Sequence, residues 1–138
     1  MTVKYLLDTN ILSEPLRPAP HPNILEKLQL YQEQLATAAL VWHELWFGAG
    51  RLPDSARRRA IEGYLTGVVA LSIPILPYNQ EAAVWHARER ARLAGSGRTP
   101  PFVDGQIAAI AKTNDLVLVT INQADFQFFD VKIEDWRE

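Results

Sequence analysis

The run Leu116-Val117-Leu118-Val119-Thr120 is short, β-rich and apolar on both faces. A strand at the centre of a parallel sheet has to read this way, because helices cover it on either side. Val3 to Leu7 has the same character and ends at the polar turn Asp8-Thr9-Asn10. Leu35 to Ala38 reads as a weaker strand, Leu71 to Leu76 as an extended segment whose Pro74 and Pro77 mark a sheet edge, and Val131-Lys132-Ile133 as a closing edge strand. Between them lie helical patterns. A short helix follows Asp8, another runs from Asn23 as its cap to about Tyr31, and a third runs from Val41 to about Gly50. Asp54 or Ser55 caps a fourth, with Ile61, Tyr64, Leu65 and Val68 on one stripe; Asn79 caps a long fifth to about Leu93, and the sixth starts at Asp104. Gly95 to Pro101 is the clearest loop. Strand–helix alternation of this kind predicts an α/β fold on a mostly parallel sheet. With 138 residues and no internal repeat or linker, the expectation is one domain over residues 1–138.

Composition removes several classes of function. Cys is absent, which excludes disulfides, thiolate zinc sites and cysteine nucleophiles. The apolar runs fall short of the roughly 18 residues of a membrane span, and Lys4 and Asp8 interrupt any secretory core, so the expected place is the cytoplasm, without membrane contact. A net charge of −2 from 14 basic and 16 acidic residues argues against a passive nucleic-acid coat. It does not argue against a nuclease, whose acidic site and basic groove cancel in the total. Arg57, Arg58 and Arg59 are the densest basic cluster and the expected RNA- or partner-binding group, the alternative being an ordinary solvated helix face. No phosphate-binding loop, dinucleotide fingerprint or nucleophile elbow is present.

Three carboxylates stand where charge is unwelcome. Asp8 closes a strand, Glu44 interrupts the apolar helix Ala39-Leu40-Val41-Trp42-His43-Glu44-Leu45-Trp46-Phe47, and Asp104 opens Asp104-Gly105-Gln106-Ile107-Ala108-Ala109-Ile110-Ala111. Helical spacing puts Glu44 beside Leu40, Val41, Phe47 and Gly48, and Asp104 above Ile107, Ala108 and Ala111, so both faces are expected to look inward. A buried carboxylate costs several kcal/mol unless it is paired or binds metal. No Lys or Arg lies one turn away, and a shared divalent cation is the economical answer. Asp8 and the Asn122–Asp125 turn both follow strands directly, on the rim where parallel sheets bind ligands. Taken singly, Asp8, Asp104 and Asn122 also fit ordinary helix caps. His43 and His86 read as structural.

Leu6-Leu7-Asp8-Thr9-Asn10-Ile11-Leu12-Ser13-Glu14, Trp42-His43-Glu44-Leu45-Trp46-Phe47-Gly48, Val103-Asp104-Gly105-Gln106-Ile107-Ala108-Ala109 and Val119-Thr120-Ile121-Asn122-Gln123-Ala124-Asp125-Phe126 together resemble, in order, the four motifs of PIN-domain ribonucleases. The likeness is greatest to VapC-type toxins and FitB-like proteins, and it spans essentially the whole chain. The resemblance implies a three-layer α/β/α fold with a five-stranded, mostly parallel sheet, an acidic pocket for Mg²⁺ or Mn²⁺, homodimerisation, and hydrolysis of RNA. It also implies restraint by a small cognate antitoxin, with operator DNA reached only through that antitoxin. Carried over by position, Asp8, Glu44, Asp104 and Asp125 are the catalytic, metal-holding acids, and Asn122 orients metal-bound water. Thr9 and Thr120 are supporting hydroxyls, with local backbone capping as their alternative. Ile121 departs from the pattern, since relatives often carry Arg or another polar residue there, so the resemblance carries over no phosphate contact at that position while leaving the metal site as it is. The other functional reading is a binding module of the same fold that works with an antitoxin-like partner on operator DNA and turns over little RNA.

Overall fold

The computed structural model describes residues 2–138. Its centre is β1 (Tyr5–Leu7), buried at every position. Parallel neighbours flank it: β2 (Leu35–Ala38) in the register Tyr5↔Leu35 to Leu7↔Thr37, and β4 (Val117–Val119) in the register Tyr5↔Val117 to Leu7↔Val119. The two-residue strands β3 (Ile75–Leu76) and β5 (Ile133–Glu134) form the edges, giving the all-parallel order β3-β2-β1-β4-β5. Parallel strands cannot be joined by tight hairpins, and helices make the crossovers. These are α1 (Thr9–Leu12), α2 (Pro22–Leu30), α3 (Ala39–Gly50), α4 (Ala56–Tyr64), α5 (Ala70–Ser72), α6 (Gln80–Gly95), α7 (Phe102–Thr113) and α8 (Gln123–Phe126). The architecture is the expected α/β/α. Among the described residues no helix is long and apolar enough to cross a membrane.

Leu6, Leu7, Ile110, Leu118 and Trp136 are fully buried in the core. Trp136 packs its ring edge-on to Tyr5 at 5.1 Å. Several boundaries moved from their sequence positions, each for a local reason. His21, not Asn23, caps α2: its Nδ1 accepts the Asn23 N–H at 3.2 Å, while the Asn23 amide reaches the Arg137 carbonyl. Of the two candidates for α4, Ser55 is the cap, taking the Arg58 N–H. Of the segment Leu71–Leu76 only the last two residues are strand, because α5 carries the chain to Ser72. The closing strand lies slightly later than Val131-Lys132-Ile133, at Ile133–Glu134.

Candidate active site

Asp8 stands one residue beyond β1, at the carboxyl edge of the sheet. Its N–H donates to the Val119 carbonyl at 2.9 Å, which locks it to the end of β4. Oδ1 accepts the Thr9 N–H at 2.8 Å, so Asp8 is the N-cap of α1. Oδ2 accepts the Thr120 hydroxyl at 2.8 Å and a longer contact from Asn10 Nδ2 at 3.5 Å. The cap reading therefore holds for Asp8, the same carboxylate that the site reading singles out. Asp8 is buried, and burial raises its pKa, against the opposing pull of these donors. Oδ1, with one donor, retains unfilled acceptor capacity, while Oδ2 already takes two.

Asp104 comes from the other side. It lies in the first turn of α7, which begins at Phe102, so it is not the cap. A helix N-terminus welcomes negative charge, yet Asp104 is pushed up to about 6 by burial, then by Asp125, then by Asp8. Asp125, in the first turn of α8, also raises Asp8. Three acids from distant parts of the chain thus lie near enough along one rim for Asp125 to raise both Asp8 and Asp104. Thr120 grips Asp8, and its Oγ1 also accepts the Asn122 N–H at 3.0 Å, the local backbone capping that is its alternative reading. Thr9 contributes its backbone N–H, and the Asn122 side chain is exposed.

Glu44 differs from the expectation of an inward face. The buried stripe of α3 is Val41, Leu45 and Ala49, and Glu44 is exposed one position off it, with His43 and Phe47. A helix this apolar all round has no periodicity to choose its inner face. The Glu44 helix packs against both α1 and α7. Among the described residues no three acidic or histidine side chains close on one point. In the basic cluster, Arg58 is tied to Glu62 at 3.2 Å and to the Leu52 carbonyl at 3.1 Å, and Arg59 to Asp54 at 2.8 Å. Arg57 is exposed and makes no hydrogen bond or ion pair among the described residues.

Two contributors carried no separate weight in the sequence. Asn10 joins the first and fourth motifs, its Oδ1 accepting the Ile121 N–H at 3.2 Å while its Nδ2 faces Asp8. His86, buried on α6, presses Nε2 against the backbone of Gly105; a Cβ added at Gly105 would stand 2.1 Å from that nitrogen. The missing side chain at 105 lets α6 lie close to the turn that presents Asp104.

The sequence profile of the PIN domain matches residues 5–132, a span containing all four acids. The chain belongs to the PIN-domain family. Among PIN-type relatives it is 31% identical over 136 residues to the tRNA(fMet)-specific endonuclease VapC of Shigella flexneri, covering 97% of this chain and 98% of that one. It is 30% identical over 131 residues to Toxin FitB of Neisseria gonorrhoeae, covering 93% and 94%. Its fold superposes on the crystal structure of DNA-bound VapBC from Salmonella typhimurium with a TM-score of 0.80 at 29% identity, covering 98% and 99%.

Proposed function

We propose that this PIN-family chain is a Mg²⁺- or Mn²⁺-dependent endoribonuclease, the cytoplasmic toxin of a toxin–antitoxin pair, folded as one domain over residues 1–138. The observation that carries the reading is the grouping of Asp8, Asp104 and Asp125 at one rim, where burial first, and then the charges of Asp125 and Asp8, push Asp104 up to about 6. The names of the relatives support the same activity. The donor set fits a hard divalent cation, since it is all oxygen with no Cys in the chain. Among the described residues no three acids or histidines close on a single point; Mg²⁺ keeps several waters and needs only one or two protein carboxylates.

In this reading Asp8 is the anchor, its orientation set by Thr9, Thr120 and Asn10. Asp104 and Asp125 complete the acidic wall that would hold the cation, and Asn122, at the same edge, would orient a bound water. Glu44 enters the set by its place in the second motif, from the exposed side. When bound, the cation supplies a more acidic water and neutralises charge on the phosphate oxygens. A cognate antitoxin restrains the enzyme and carries it to operator DNA, and the toxin itself is a homodimer. Arg57 is the member of the basic cluster left for RNA or partner, Arg58 and Arg59 being held within the chain.

The test is cleavage of a structured RNA by purified protein. Activity is expected with Mg²⁺ or Mn²⁺, none in excess chelator, and none from Asp8→Asn. Undiminished cleavage in chelator would remove the metal from the mechanism, and equal activity of Asp8→Asn would remove the site.

A further inference from the structure

An acidic pocket repels the polyanion it is to cut, so RNA needs a foothold beside the acids. Two guanidinium–ring pairs flank the Gly95–Pro101 loop. Arg98 lies over the Phe128 ring with 4.1 Å to its centroid, and Arg90 over Phe102 at 4.8 Å. Phe128 is 43% exposed and Phe102 51%, and neither Arg forms an ion pair among the described residues. A hollow of about 230 Å³ joins Arg98, Pro101 and Phe128 to Asp125, and Arg98 and Thr99 also line a second hollow that reaches Arg90.

Phe128 is not a stray surface ring. The buried Glu89 accepts two bonds from Arg92, at 2.7 and 2.8 Å, and the Asp130 N–H at 3.0 Å; Arg92 donates in turn to the Phe128 carbonyl at 2.9 Å. The turn that presents the ring is therefore fixed from α6, and little ordering is left to do on binding.

We propose that Phe128 and Arg98 form a subsite for one unpaired nucleotide of the RNA, the base stacking on the ring–guanidinium pair and the adjoining phosphate meeting Arg98, so that single-stranded RNA enters the acidic site past Asp125. The inference rests on the ribonuclease reading. Aromatic and guanidinium planes stack splayed-out bases without regard to sequence. The unpaired cations favour a polyanion over an apolar protein segment.

The experiment is equilibrium binding, in chelator, of an oligoribonucleotide hairpin with 2-aminopurine in its loop, alongside a blunt duplex of equal length. Phe128→Ala is expected to weaken hairpin binding about 10-fold, with stacking contributing on that scale, and to abolish the fluorescence quench while duplex binding and melting temperature stay unchanged. Phe128→Trp retains the quench. Arg98→Ala lowers the salt slope of hairpin binding by about 0.7, as for one lost single-strand phosphate contact. Unaltered hairpin binding by Phe128→Ala, or an equal loss for hairpin and duplex, overturns the subsite. A loss confined to binding of a protein partner reassigns the surface and overturns it too. Metal-dependent cleavage by the wild type, measured in parallel, separates the two failures: cleavage without any Phe128 effect sinks only the subsite, whereas no cleavage and no binding sinks both.

Discussion

Asp104 shows how a single carboxyl can record the cost of a site. Its pKa in the folded protein, about 6, lies above the ordinary value of about 3.9 for an unfolded Asp. The folded state therefore holds the proton more tightly, and the stability this contributes is complete below pH 4 and lost as pH rises through 6. Asp104→Asn should accordingly raise the melting temperature of metal-free protein at pH 7.5 by about 3 °C, on the order of 1 kcal/mol after allowance for partial solvent screening. The gain should vanish at pH 4, and melts at the two pH values check this. A gain that persisted at pH 4 would mark a packing effect. Gly105 gives a second prediction on the same turn. Gly105→Ala drives a Cβ into the His86 ring and should destabilise by about 2 kcal/mol, as overpacking does. Adding His86→Ala should recover part of that loss, and denaturant titration of the three variants measures the coupling.

The elements account for what could and could not be read from the sequence. The starts of Leu35–Ala38 and of the Asn79-capped helix stood where expected, because polar residues precede the one and a capping side chain opens the other. The inner face of α4 and its extension did not. The segment Leu65–Val69 winds as a π-helix, and the extra residue in the turn rotates Val69 into the core and leaves Val68 exposed. No local signal announces that change of phase. Glu44 was misplaced for a related reason, its helix being apolar on too many sides. Asp8 and Asp104 could be singled out because a carboxylate within an apolar segment needs an explanation, whereas Asn10 looked like any turn residue until Ile121 met it in space. Tyr64 joins these helices to the site. Its hydroxyl donates to the Leu12 carbonyl at 2.7 Å, and burial pushes its pKa up to about 12. Tyr64→Phe should cost about 1 kcal/mol, read as a lower denaturant midpoint with unchanged slope.

For the whole molecule the proposed activity makes a physiological prediction. Expressed alone in bacteria, the chain should arrest growth, and Asp8→Asn should not, because the amide has the shape of the carboxylate without its charge. Co-expression of the cognate partner should restore growth. A partner that fills the acidic pocket with a cationic side chain should also bind Asp8→Asn more weakly. Growth curves and a pull-down supply independent readings, and equal toxicity of the two forms would place the growth defect elsewhere.

The strand order has one more consequence, which concerns time. The first strand of the chain lies between β2 and β4, and Asp8 takes its hydroxyl partner from Thr120, 112 positions later. A ribosome making this protein exposes the first acid early, but the bonds that orient it wait until the fourth motif has left the exit tunnel. Contacts of such long range also form slowly. A nascent chain should therefore be harmless to the RNA of the machine that is making it. Chains stalled or truncated after Asn114 should show neither a cooperative melt nor cleavage, and activity should appear only once residues 115–125 are free to close the sheet.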